Sequence, residues 1–239
     1  GHEEDGRPGR DPHLAIVPLP YVASHHADGQ ILGIAVILPR TASENDRREV
    51  ADAISEWEQN EQQHGQTPGH HDFVPGQDTP VMRLRMGRAG TMLVQRLVYG
   101  QPNLMTLRTS TWTSASHCWV SATPIALDRN PGNLHDRNAR KRAKAFAEAT
   151  KTIQRACTHV RLPQPAYVDV VRAAVLPGTT KPQNFPPFPL ERRKHRRVLV
   201  HARLWFDEPV AGPVLLGAGR FFGLGLCRPI HLPKPEAKP

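Results

Sequence analysis

Apolar residues along this chain fall into short alternating runs, two helical patterns and long polar stretches between them. Residues 13–19 form a short apolar run ended by Pro18 and Pro20, which predicts a strand. Residues 31–38 form a second strand-sized apolar run, and a loop carrying His25-His26-Ala27-Asp28-Gly29 joins the two. Thr41-Ala42-Ser43-Glu44 has the spacing of a capping box, and Val50, Ile54 and Trp57 follow on one helical face. The helix ends in a polar stretch with glycine, proline and paired histidine, 62–76. In 80–86, Met82, Leu84 and Met86 share one strand face and Arg83 and Arg85 the other. Residues 91–99 read as the next strand across an Ala89-Gly90 turn.

The second half opens with a strand over 118–123, before Pro124, and a long helix over 136–157. Residues 167–176 fit either a helix or a strand. The five prolines in 177–189 exclude a regular element. A strong strand follows over 196–206, then a glycine-rich segment at 212–225, and a last strand at 224–228. The order is roughly βαββ, then βα(β)ββ. Two consecutive ferredoxin-like units would produce it, so the expected class is α+β: one unit over 12–112, a second over 113–239 that carries the glycine-rich loop. No sequence repeat relates the halves.

Composition sharpens this picture. The chain has 239 residues, only 38% of them hydrophobic, and 24 prolines, as expected for ordinary cores joined by long proline-broken loops. A formal net charge of +9 points to a polyanionic partner. A membrane surface would attract the same charge, but no amphipathic helix has a large aromatic face and no apolar run reaches the length of a span. Residues 1–11 are polar and carry no signal-peptide core. Cys118, Cys157 and Cys227 are widely separated and show no metal-knuckle spacing. A reducing cytoplasm is the simplest setting for them.

The basic residues are grouped. On the 136–157 helix, Ala143, Phe146, Ala147, Ile153 and Cys157 gather on one side, and Arg137, Lys141, Lys144, Lys151 and Arg155 on the other, with Glu148 among them. Such a ridge suits a phosphate backbone; it equally fits the solvated face of a surface helix. A second basic run, 192–197, includes Arg196 and Arg197 and leads into the 196–206 strand. There Val198, Val200, Ala202, Leu204 and Phe206 share one face, and Leu199, His201, Arg203 and Trp205 the other. If helices cover only the first face, the second is a platform for RNA bases and phosphates. If another layer covers it, Trp205 is core.

Gly217, Gly219, Gly223 and Gly225, with Arg220 among them, do not have the spacing of a dinucleotide loop or a Walker loop. They let backbone amides approach phosphates, or they make a tight packing turn. The segment 198–229, with Gly212-Pro213-Val214-Leu215-Leu216-Gly217-Ala218-Gly219-Arg220 and Gly223-Leu224-Gly225-Leu226-Cys227-Arg228-Pro229, resembles the C-terminus of the CRISPR repeat-associated (RAMP) superfamily. It is most similar to the type I-U (I-G) protein that fuses a backbone subunit to the repeat-processing endoribonuclease. His26-Ala27-Asp28-Gly29, Leu32-Gly33-Ile34-Ala35 and Leu38-Pro39-Arg40 resemble the start of its endoribonuclease half, and Ala122-Thr123-Pro124-Ile125-Ala126-Leu127-Asp128-Arg129 its middle.

The resemblance implies tandem ferredoxin-like folds and metal-free cleavage of CRISPR precursor RNA within its repeats. The products would be a 2′,3′-cyclic phosphate or 3′-phosphate and a 5′-hydroxyl, with no cofactor. Implied partners are precursor RNA, the mature repeat hairpin, and subunits of a type I interference complex, including the backbone subunit whose half this chain lacks.

RNA carries its own nucleophile, the 2′-hydroxyl, so an enzyme must move protons and stabilise the phosphorane. Histidine suits the task because its ordinary pKa, about 6.5, lies near working pH. The resemblance puts catalysis at His26, with His25 second and Asp28 able to orient the ring. Tyr21 and Ser24 are weaker proton partners. The same loop also reads as a simple turn at Gly29. His201 is a rival, either binding RNA or completing a two-histidine site. His70-His71-Asp72 looks like a fragment of a metal motif in a polar loop. Two further functions stay open: a non-catalytic RNA-binding subunit of a CRISPR ribonucleoprotein, and a metal-dependent nuclease, which would need clustered carboxylates that the sequence lacks.

Overall fold

The first two apolar runs pair as an antiparallel hairpin, β1 (Ala15–Pro20) with β2 (Ile31–Ile37), in the computed structural model, which describes residues 13–64, 81–87, 90–97, 103–173, 175–189 and 195–235. Val17 lies opposite Ala35. Helix α1 (Glu44–His64) follows. Its start is two residues later than the sequence pattern suggests. The Ser43 hydroxyl accepts from the Asp46 amide at 3.1 Å, and the Asp46 carboxylate accepts from the Ser43 amide at 2.7 Å. That is a reciprocal capping box with aspartate in the glutamate place. The Ser43 amide, more than its hydroxyl, holds the Asp46 carboxyl below its usual value.

The hairpin β3 (Val81–Arg85) and β4 (Thr91–Gln95) pairs antiparallel. Arg83 reaches Glu61 at 2.9 Å and Arg96 reaches the buried Glu58 at 2.7 Å, tying the hairpin to α1. Of the described residues, those within 38–103 pack as one unit, and those within 13–37 and 104–235 as another. The β1–β2 hairpin therefore groups with the C-terminal half and not with the 12–112 segment in which the sequence pattern sets it.

The larger unit continues with α2 (Ser110–Thr113), β5 (Ser116–Ser121), β6 (Ile125–Ala126), α3 (Ala139–His159) and β7 (Tyr167–Val171), which resolves the ambiguous run as a strand. Then come β8 (Leu199–Val210), β9 (Val214–Leu215) and β10 (Leu226–Ile230). All pairings are antiparallel. β8 is central: β5 and then β6 line one edge and β7 the other, while β10 flanks β5 and β9 flanks β10. Among these residues no second long helix stands between β8 and β10. Their place is taken by β9 and a 3-10 turn at Arg220–Phe222.

Helix α3 covers one sheet face. Asn138 caps it by accepting from the amides of Arg140 and Lys141. Its buried stripe is Ala145, Ala149, Ile153, Ala156 and Cys157. Ala143 and Ala147, expected on that side, are exposed. Alanines lie all round this helix, so apolarity alone leaves its rotation loosely defined. The small side chains at 145, 149 and 156 let the backbone approach β8, where Val200, Ala202, Leu204 and Phe206 complete the core.

The opposite face is not open. Ala15, Val17 and Leu19 of β1 bury Cys118, Val120 and Trp205 beneath them, with Trp112 and Leu226 alongside. Each fully buried large apolar side chain contributes roughly 1.5–3 kcal/mol. The unit is thus three layers deep: helix, sheet, hairpin. Of the platform expected at His201, Arg203 and Trp205, the first and last are buried and Arg203 is partly exposed.

Candidate nucleic-acid interface

The His25–His26 loop is braced from several sides. The Tyr21 amide donates to the Gln30 carbonyl at 2.7 Å, and the Gly29 amide to the Tyr21 carbonyl at 3.0 Å. The Ala23 amide donates to the Pro177 carbonyl at 2.9 Å. Gly29 has φ +80°, and a side chain there would collide with the Gly178 carbonyl. From the far end of the chain, the Arg228 guanidinium donates to the Val22 carbonyl at 2.6 Å. Burial lowers the Arg228 pKa from its usual value, yet a guanidinium stays charged. A fixed cation therefore lies under this loop, an anchor that the sequence pattern does not reveal.

On this frame the His25 and His26 side chains are exposed, with ring centroids 4.8 Å apart in an edge-to-face pair. The neighbours expected to assist them are otherwise engaged. The Asp28 carboxylate accepts from the Gln30 amide at 2.9 Å, closing the turn. The Tyr21 hydroxyl donates to Ser24 Oγ at 3.1 Å. The orientation of the pair comes from the loop backbone.

His201 does not face a ligand. It is fully buried; its Nε2 donates to the Thr180 carbonyl at 3.0 Å, and its Nδ1 accepts from Ser121 Oγ at 2.9 Å. Ser121 Oγ in turn accepts from the Ala202 amide. Burial, only partly offset by these bonds, pushes the His201 pKa below 6.5, so the ring is neutral. It pins Thr180, in the same 177–180 segment that supports the histidine loop. Arg203, on the same strand face, pairs with Asp169 across β8 and β7 at 3.0 Å. Of the platform residues, His201 and Trp205 are buried, whereas the Arg203 side chain stays 36% exposed at the sheet edge with Asp169.

The glycine-rich segment is likewise a packed turn. Gly217, Gly219 and Gly223 are buried, and any side chain at Gly217 (φ +85°) would strike the Ala126 carbonyl. The Ala218 amide donates to that same carbonyl at 2.9 Å. The guanidinium of Arg220 stacks on Phe221, 4.4 Å from the ring centroid, and donates to the Gly217 carbonyl. The next residue, Phe222, is 73% exposed.

The basic ridge is where the pattern set it. Arg137, Lys141, Lys144, Lys151 and Arg155 are all exposed, and Lys151 alone of these pairs with Glu148, at 3.1 Å. Arg196 and Arg197 are exposed as well, the latter donating to the Asp128 carbonyl. They line a cleft with His135, Arg172 and Phe185. The sequence pattern passes over these three, because they lie in separate segments of the chain. His70-His71-Asp72 lies outside the described residues. Among the described residues no group of three or more histidine, cysteine or carboxylate side chains could hold a metal ion, and no helix is long and apolar enough to cross a membrane.

No curated protein and no solved structure matches the chain. A family model described as "CRISPR-associated protein, GSU0054 family" matches residues 101–229, more than half of the sequence. That span runs from α2 to β10 and takes in the sheet, its covering helix and the glycine-rich turn, and on this match the chain belongs to the GSU0054 family of CRISPR-associated proteins.

Proposed function

We propose that this protein is a metal-independent endoribonuclease that cuts CRISPR precursor RNA within its repeats and stays bound to the repeat hairpin in a type I interference complex. The observation that carries this reading, beside family membership, is the exposed His25–His26 pair on a loop braced by Pro177, Gly178 and Arg228. The strand order β10-β5-β8-β7, with α3 over one face, supports a ferredoxin-like unit whose second helix is replaced by the glycine-rich turn.

In the proposed reaction the 2′-oxygen attacks the adjacent phosphorus as His26 accepts its proton. The bond from phosphorus to the 5′-oxygen breaks, and that oxygen leaves with a proton delivered by His25 or water. The products are a 2′,3′-cyclic phosphate and a 5′-hydroxyl. Two imidazoles this close can divide the acid and base roles.

A second reading is a non-catalytic RNA-binding subunit. Its specific support is that Asp28 and Tyr21 are engaged within the turn and orient neither imidazole.

Cleavage of cognate repeat RNA in EDTA separates the two. One cut that disappears when the scissile nucleotide is 2′-deoxy supports the enzyme. A requirement for Mg²⁺, or cutting that survives the 2′-deoxy change, refutes the mechanism. Tight binding with no cutting favours the structural subunit.

A further inference from the structure

We infer that the cleft between the start of β8 and the loop before α3 is a seat for one nucleotide of single-stranded RNA. This rests on the RNA-binding reading above but uses a different part of the surface from the histidine loop. The cleft has a volume of about 410 Å³, within the usual range of roughly 300–1,000 Å³ for a small-ligand site. Its functional lining is His135, Arg172, Gln183, Phe185, Arg196 and Arg197, and among the described residues no carboxylate side chain is part of the wall. Three guanidinium groups and no acid select an anion.

The shape selects more than charge. Phe185 is half-buried in the wall and offers an aromatic ring beside the guanidinium groups, and Gln183 adds an amide that can both donate and accept. Phosphate, flat base and base edge thus each have a matching group, as single-strand binding requires. Arg172 carries a second instruction. Its Nη1 lies 3.1 Å from His135 Nδ1 and 3.4 Å from the Leu134 carbonyl. A guanidinium only donates, so Nδ1 accepts and the His135 proton sits on Nε2, leaving a neutral donor for a phosphate or base oxygen.

The aromatic surface continues past the cleft. Phe188, whose carbonyl accepts from the Arg197 amide at 2.7 Å, meets the exposed Phe222 ring at 5.5 Å. A neighbouring base can stack there, which carries the strand toward the glycine-rich turn. Arg196 makes no side-chain hydrogen bond among the described residues, so its guanidinium is available to the phosphate between the two bases.

The test is fluorescence anisotropy on the full chain with a labelled single-stranded RNA hexanucleotide at fixed salt. Phe185→Leu and Arg196→Gln should each weaken binding by about tenfold, with unchanged thermal melting. Arg172→Gln and Arg196→Gln replace exposed side chains, so they test the cleft even if Phe185→Leu perturbs the fold. Variants that all bind within about twofold of wild type overturn the proposal. So does displacement of the RNA by polyglutamate or polyphosphate at equal charge concentration, since the cleft would then read charge alone. A wild-type protein that cuts repeat RNA yet does not bind the hexanucleotide removes the cleft and leaves the nuclease. One that binds through the cleft and does not cut leaves the cleft and removes the nuclease.

Discussion

Replacing His201 by leucine keeps most of its volume and deletes both of its hydrogen bonds. Ser121, fully buried, would still accept from the Ala202 amide but would lose the acceptor for its own proton. An orphaned buried donor costs about 1–3 kcal/mol. Thr180 is exposed, so its carbonyl can recover a water and costs less, about 0.5–1 kcal/mol. The expected loss for His201→Leu is therefore about 1.5–4 kcal/mol, and His201→Ala should lose more because it leaves a cavity. Urea denaturation at pH 7.5, followed by tryptophan fluorescence, suits the measurement, since Trp112, Trp119 and Trp205 are all buried in this unit. The wild type adds a pH signature. Burial lowers the His201 pKa, so below 6.5 the unfolded chain binds a proton that the folded one resists. The contribution of His201 is complete above that value and is lost as pH falls through the folded pKa. In the leucine variant this part of the pH dependence should vanish. A loss under about 0.5 kcal/mol, or an unchanged acid limb, would refute the role assigned to His201.

Three other outcomes follow from the same structure. His26→Ala should slow single-turnover cleavage of repeat RNA by about 10²–10⁴-fold with nearly unchanged gel-shift affinity, and His25→Ala by less; equal loss of binding and cleavage would make the loop structural. Replacing Lys141, Lys144 and Arg155 together should weaken RNA binding and flatten its dependence on salt, whereas an unchanged salt slope would make the α3 ridge a solvated face. Burial pushes the Cys118 and Cys157 thiols up to about 12 and Cys227 higher still, so all three should resist iodoacetamide at pH 8 until the protein is unfolded; rapid alkylation of the native protein would contradict this.

The legible parts of the fold were those decided locally. The apolar run at 13–19, the alternation at 198–206, the capping residues at 41–44 and the prolines of 177–189 each act over a few residues, and they have their counterparts in β1, β8, α1 and a loop with one short 3-10 turn at Pro182–Asn184. What the sequence could not show is what covers a face. The run Leu199, His201, Arg203, Trp205 reads as amphipathic, but β1 arrives from almost two hundred residues upstream and covers Trp205. The glycines of 217–225 are compatible with phosphate contact or packing, and the position of the Ala126 carbonyl decides for packing. His135, Arg172 and Phe185 carry no common motif because chain topology alone brings them to one cleft. The His25–His26 loop was visible as a loop; its brace by Arg228 was not.

The bond from Arg228 to the Val22 carbonyl joins residues at opposite ends of the sequence, and this has a consequence for biosynthesis. A ribosome working at about 5–20 residues per second needs roughly 10–40 s to travel from one partner to the other. During that interval α1 and the β3–β4 hairpin emerge, and their contacts lie within one compact unit. The β1–β2 hairpin, exported earlier, must wait with Ala15, Val17 and Leu19 uncovered until β5, β8 and β10 exist to receive them. A stalled or truncated nascent chain would present that apolar hairpin to the cell, where chaperones that hold extended hydrophobic segments would be its first partners.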